Sequence, residues 1–173
     1  MIMPRGYGQL LLPARPWFIA ATLLAALAFE LLPLGRAPAM PDLLAVVLVF
    51  WNVHQPRRVG LGVSFALGLC MDVNDGALLG LHALTYTVLA FGAIAVHRRL
   101  LWFAPREQAL QVLPVFAGAA LVTLVLRQWV DGAWPSAWLL LAPVLQAALW
   151  PVATWALLAP QRRAPDRDEH RPL

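Results

Sequence analysis

Lysine is absent from the 173 residues, cysteine occurs once, and only 13% of the residues are charged. Each shortage closes a class of function. Without lysine there is no Schiff-base amine and no P-loop contact to a phosphate, and the Walker, H-E-x-x-H and G-x-S-x-G patterns are missing too. The lone Cys70, set in the apolar stretch FALGLCM, has no mate for an intrachain disulfide and no cysteine cluster for a metal, so it is expected only to pack. A charge content this far below the roughly 25% of water-soluble domains excludes an ordinary soluble fold.

What the chain has is apolar length: 61% of its residues are hydrophobic and its mean hydropathy is +0.68. A helix needs about 20 apolar residues to cross a hydrocarbon layer about 30 Å thick. Six runs approach that length, at 17–34, 43–53, 59–71, 77–96, 109–126 and 137–158, the second and third being short. Pro114, Pro143 and Pro151 fall inside the last two, where neighbouring helices can satisfy the freed carbonyls. The expected fold is an all-α integral membrane protein, a compact bundle of about six transmembrane helices at 17–159. A short cytoplasmic segment, 1–16, precedes it, and a polar tail, 160–173, follows, expected to be disordered or to lie along anionic headgroups. A signal peptide fits the start less well, because the apolar run is long, Glu30 interrupts it, and Pro41 follows the Ala37-Pro-Ala39 stretch.

The net charge of +4 does not point to nucleic acid, since the arginines lie in the gaps between apolar runs and not on one basic face. With the N-terminus cytoplasmic, eleven of the 13 arginines fall on the inner side, leaving Arg36 and Arg127 outside. The positive-inside rule therefore favours an even number of helices and both termini cytoplasmic. Trp17, Trp51, Trp102, Trp129, Trp134, Trp138 and Trp150 fall near segment ends, where tryptophan anchors a helix at the membrane interface.

The chemistry is concentrated between residues 56 and 82. Gly60, Ser64, Gly68 and Asp72 are each four apart, which on a helix makes a ladder of small residues ending in a carboxylate. Gly76 and Gly80 repeat the spacing. Such a face lets two helix backbones approach closely and should pack on another helix, of this chain or of a partner. Asp72, Asp75 and His82 could bind a cation or relay a proton, ionisable groups being rare at membrane depth. The alternative is that Asp72 and Asn74 cap helix ends and Asp75 is wetted at the surface. His82 and Tyr86 suggest an interhelical hydrogen-bond pair, and Glu30 could pair with Arg36 or Arg127.

This block resembles a known family in the order and spacing of its pieces. Pro41-Asp42 opens the second segment and Phe50-Trp51 lies near its end; Pro56-x-Arg58-Val-Gly60-x-Gly62 forms the turn. Phe65-x-x-Gly68-x-x-x-Asp72, Gly76-x-x-Leu79-Gly80 and His82-Ala-Leu84 follow, with weaker matches at Gln108-Ala-Leu110 and Leu149-Trp150-Pro151. Together they resemble the bacterial rod shape-determining protein MreD family. The first segment and the tail match only in being apolar and basic.

The resemblance implies a non-enzymatic inner-membrane component of the cell-elongation machinery, without cofactor, that helps organise lateral peptidoglycan synthesis. The implied partners are the bitopic protein MreC and, with it, the actin-like MreB, the glycosyltransferase RodA and a class B penicillin-binding protein. On this reading the Gly60, Ser64, Gly68 and Asp72 face would dock a partner's single transmembrane helix. Two other classes stay open from the residues alone. One is the small-molecule-binding membrane subunit of a vitamin-type energy-coupling factor transporter, with Glu30, Asp72, Asn74, Asp75 and His82 as its polar groups. The other is a lipid-modifying enzyme using Asp72 and Asp75 with a divalent metal.

Overall fold

The computed structural model describes residues 14–32, 40–76, 78–132 and 137–161. Among them there are six α-helices and no strand: α1 (Pro16–Glu30), α2 (Leu43–His54), α3 (Gly60–Asp75), α4 (Leu81–Leu100), α5 (Pro105–Asp131) and α6 (Ala142–Leu158). A 3-10 turn, Ala137–Leu141, leads into α6. Proline is the first residue of α1 and α5 and the second of α6, where its missing N–H costs nothing because the first turn has no carbonyl to receive one.

The helices are apolar all round, so no single stripe tells inside from outside; tertiary contact decides. α2 is the axis, with nine of its 12 residues buried against α1, α4 and α6. Phe50 and Trp51 are fully buried there, Phe50 meeting Trp51 edge-on at 5.0 Å and Trp150 of α6 at 6.2 Å. The most extensive helix pair is α3 with α4. At about 18 Å long, α2 falls short of a bilayer's hydrocarbon width. The stretches Pro105–Val130 and Leu139–Gln161 are long and apolar enough to cross a membrane.

The outside is apolar, and the mainly apolar core holds several polar groups. Large apolar side chains such as Phe91, Trp102, Leu110, Trp129 and Trp155 cover the outside, while Asn52, Ser64, Asp72, Gln108 and Thr154 are buried. Most of the buried polar groups tie helix to helix. Trp51 Nε1 donates to Thr22 Oγ1 at 2.9 Å (α2 to α1), and Asn52 Nδ2 to Ser64 Oγ at 3.2 Å (α2 to α3). Thr85 and Thr123 share a hydrogen bond of 2.9 Å (α4 and α5), and Trp150 Nε1 donates to Gln108 Oε1 at 3.0 Å (α6 to α5). In an apolar surround, where burial of oil against oil drives nothing, such bonds and close packing hold helices together.

Several boundaries and placements differ from expectation. α4 begins at Leu81, not 77, because Gly80 takes a left-handed conformation at its start. α5 runs well past 109–126 at both ends, with Pro114 inside it, and residues 137–141 form the 3-10 turn, not α-helix. Of the expected interfacial tryptophans, Trp51 and Trp150 are core residues at 0% exposure, whereas Trp17, Trp102 and Trp129 are exposed. Cys70 is exposed on α3 and does not pack inside. Trp134, Arg36, the first 13 residues and the tail from 162 lie outside the described residues.

Candidate functional site

The polar residues singled out in the sequence converge at one end of the bundle, where α1 and α3 finish and α2 and α4 begin. A helix start leaves its first N–H groups without carbonyls, and the usual remedy is a side chain at the N-cap. α2 has that remedy: Asp42 is its N-cap, and Oδ1 accepts from the Ala45 N–H at 2.8 Å. Glu30, at the end of α1, adds a second acceptor by taking the Leu43 N–H on Oε1 at 2.8 Å.

α4 cannot use its own N-cap, because Gly80 has no side chain. Asp72, in the last turn of α3, does the work from across the loop. Its Oδ2 accepts from the N–H groups of Gly80 at 2.8 Å and Ala83 at 3.3 Å, and its Oδ1 from the His82 N–H at 2.7 Å. The His82 ring turns Nδ1 to the same Oδ1 at 3.0 Å. Gly80 has φ +107°, a conformation open to glycine at no steric cost, and this brings its N–H round to Asp72. Asp72 is 1% exposed. A carboxylate at a helix start is also favoured by the helix dipole.

His82 bridges the buried and wetted acids, its Nε2 lying 3.7 Å from Asp75 Oδ2. Asn74 donates to Asp75 Oδ1 at 3.0 Å on the exposed rim. The expected hydrogen-bond pair of His82 and Tyr86 is not what forms: their rings meet edge-on at 6.2 Å. Tyr86 instead donates its hydroxyl to Asp42 Oδ2 at 2.5 Å, joining α4 to the cap of α2. Tyr86→Phe is therefore expected to lower stability by about 2 kcal/mol, the worth of a hydrogen bond to a charged acceptor. Thermal unfolding in detergent checks it, and an unchanged midpoint would remove this bond from the account.

One turn below Asp72, Gly68 lies flat on α4. A Cβ there would stand 2.4 Å from Ala83 Cα and 2.6 Å from Ala83 N. Ser64 is buried as well, donating to the Gly60 carbonyl at 3.0 Å and accepting from Asn52. The small-residue ladder thus faces this chain's own α4 and α2, and the groove expected there for a partner's helix is occupied by α4. Gly60 and Gly76 have positive φ and shape the chain ends of α3, and a Cβ at either would meet nothing within 4 Å.

The remaining motif residues sit about 18 Å away, at the opposite end of α3. Pro56 lies in the turn after α2, Gly62 is exposed, and Arg58 Nη1 donates to the Ala14 carbonyl at 3.0 Å. Pro41 precedes the Asp42 cap. The structure therefore brings Asp42, Asp72, Gly80 and His82 together with Glu30 and Tyr86, and separates them from Pro56, Arg58 and Gly62. Sequence reasoning missed the pairs Thr22 with Trp51 and Thr85 with Thr123. The available signal was a lone polar residue within an apolar run.

Chemically, the cluster is a fastener. Asp72 is held by three backbone N–H donors and the His82 ring, which leaves its lone pairs engaged. Among the described residues no group of three or more His, Cys, Asp or Glu is arranged to hold a metal ion.

Comparison with known proteins gives a consistent answer. Residues 13–159 match the family described as rod shape-determining protein MreD. The rod shape-determining protein MreD of Haemophilus influenzae is 34% identical over 116 residues, covering 63% of this chain and 70% of that protein. No solved structure matches the chain.

Proposed function

This chain belongs to the rod shape-determining protein MreD family, and from that premise we propose that it is a non-enzymatic scaffold of the rod-shape complex, working as a multi-pass protein of the inner membrane. It binds the bitopic protein MreC through its outward apolar helix faces, and through that contact helps organise lateral peptidoglycan synthesis with MreB, RodA and a class B penicillin-binding protein. The observation that supports this reading best is the use made of Asp72. The buried charge that a transport subunit or a metal enzyme would present to a ligand is bonded to the start of α4, so it makes the bundle rigid. A rigid bundle with apolar flanks offers contact surface.

The arginines support an orientation. Arg15, Arg57, Arg58, Arg98, Arg99 and Arg106 flank the ends of the helices opposite the Asp72 cluster, and the positive-inside rule favours that end, with both termini, on the cytoplasmic side and the cluster on the periplasmic side.

One experiment tests the proposal. A fluorescent protein that matures only in the cytoplasm is fused to the C-terminus and used as the handle for detergent co-purification, with partners identified by mass spectrometry. The expected result is bright cells and recovery of MreC with other elongation proteins. Dark cells would overturn the orientation; an ATPase partner or a tightly held small molecule in place of MreC would overturn the scaffold.

A further inference from the structure

α3 turns Ser64 to α2 and Gly68 to α4, and the adjacent row, Val63 and Leu67 with Val59 at the N-cap, faces α1 across an open groove of about 540 Å³. The α1 wall is Ile19, Ala20, Leu23 and Leu24, one face of that helix. The lining is apolar except at one end, where Arg58 closes it. Arg58 is exposed, as are Arg57 beside it and Arg15 at the start of α1. The hydrogen bond from Arg58 to the Ala14 carbonyl puts both helix starts at that mouth and uses one of the guanidinium's five donors. Neither helix carries an acidic residue in its first turn.

We propose that this groove holds an acyl chain of an anionic glycerophospholipid, with the lipid phosphate on Arg58 and the neighbouring arginines. Two observations favour a lipid over a partner's helix. The lining spans nine positions on each wall, a rise of eight residues, from Pro16 to Leu24 and from Val59 to Leu67. That is about 12 Å of depth, close to one leaflet of a hydrocarbon core about 30 Å thick. A transmembrane helix is at least 10 Å across and would continue through both leaflets. The charge is at one end only, which matches a headgroup above a tail, and basic pockets between membrane helices bind anionic headgroups in this way.

The purified full-length protein in neutral detergent is titrated with dioleoylphosphatidylglycerol or dioleoylphosphatidylcholine, and bound lipid is counted by native mass spectrometry. Phosphatidylglycerol is expected to bind at least about fivefold more tightly, and Arg58→Gln to remove about fivefold of that preference, the contribution of one arginine near an anionic surface. Val63→Trp fills the groove from an exposed position without touching an arginine, so it tests the site even where Arg58→Gln folds poorly; it should displace both lipids. Equal binding of the two lipids, or undiminished binding to Val63→Trp, would overturn the proposal. So would a photo-reactive side chain at position 63 that captures protein in place of lipid in native membranes. The scaffold reading rests on which proteins co-purify and is unaffected by either result.

Discussion

Asp72→Ala is expected to cost about 4 kcal/mol of stability, the largest effect of any single polar substitution in this chain. Three backbone N–H groups at the start of α4 lose their acceptor together, and each buried donor left unpaired costs roughly 1–3 kcal/mol, less what entering water or backbone movement recovers. For a chain of this size that corresponds to a fall of about 10 °C in the detergent unfolding midpoint. Asp72→Asn should recover less than half of the loss. Its amide can offer oxygen to the His82 pair or to the Gly80 and Ala83 pair, but its NH2 must then point at the other donors. Asp75→Asn, on the exposed rim, should stay within about 0.5 kcal/mol of the parent. If Asp72→Ala melts with the parent while partner recovery or growth as rods fails, Asp72 is a partner contact and the fastener account is wrong.

Gly68→Ala is the second large effect, and its size comes from what the new methyl meets. The added carbon would sit 2.4 Å from Ala83 Cα, 2.6 Å from Ala83 N and 2.7 Å from His82 C, all main-chain or Cα atoms that cannot rotate away. Relief requires α3 and α4 to move apart by about 1 Å. The same movement stretches the Asp72 bonds, of which the one to Ala83 N is already 3.3 Å. A cost of about 3 kcal/mol follows, at the upper end of the usual range for overpacking. Gly62→Ala is the control: nothing lies within 4 Å of the new carbon, and alanine's better helix propensity should leave the protein unchanged or slightly more stable. Because Gly68 and Asp72 hold the same interface, the double variant Gly68→Ala, Asp72→Ala should lose less than the two separate losses together. Were the Gly68 face a partner's dock, Gly68→Ala would leave the isolated protein's unfolding unchanged and abolish only co-purification. Equal melting of Gly68→Ala and Gly62→Ala would overturn the packing argument.

The two substitutions separate what was legible in the chain from what was not. Counting apolar runs was enough for six helices and for the all-α class, because crossing or packing within an apolar medium demands length and uniform hydrophobicity, both properties of a local stretch. Spacing of four also showed that Gly60, Ser64, Gly68 and Asp72 share a face, since helical periodicity is local. The density of glycine and acid between residues 56 and 82 marked the block from which the end cluster is built. Helix edges were misjudged where a cap came from elsewhere: α4 starts at Leu81 because a residue of the previous helix supplies its acceptor, and no window around 77–81 contains that residue.

By itself, then, the sequence determined helix number, the family and the one-sided arginine distribution, all of which depend on composition and short-range order. Only the tertiary structure decided which helix meets the ladder, that Tyr86 bonds to Asp42 and not to His82, and that Trp51 and Trp150 lie in the core while Cys70 does not. The reason is physical. A helix that is apolar on every side carries no stripe to announce its inner face, so inside and outside are settled by which small residue lets another backbone approach and which buried donor finds its acceptor.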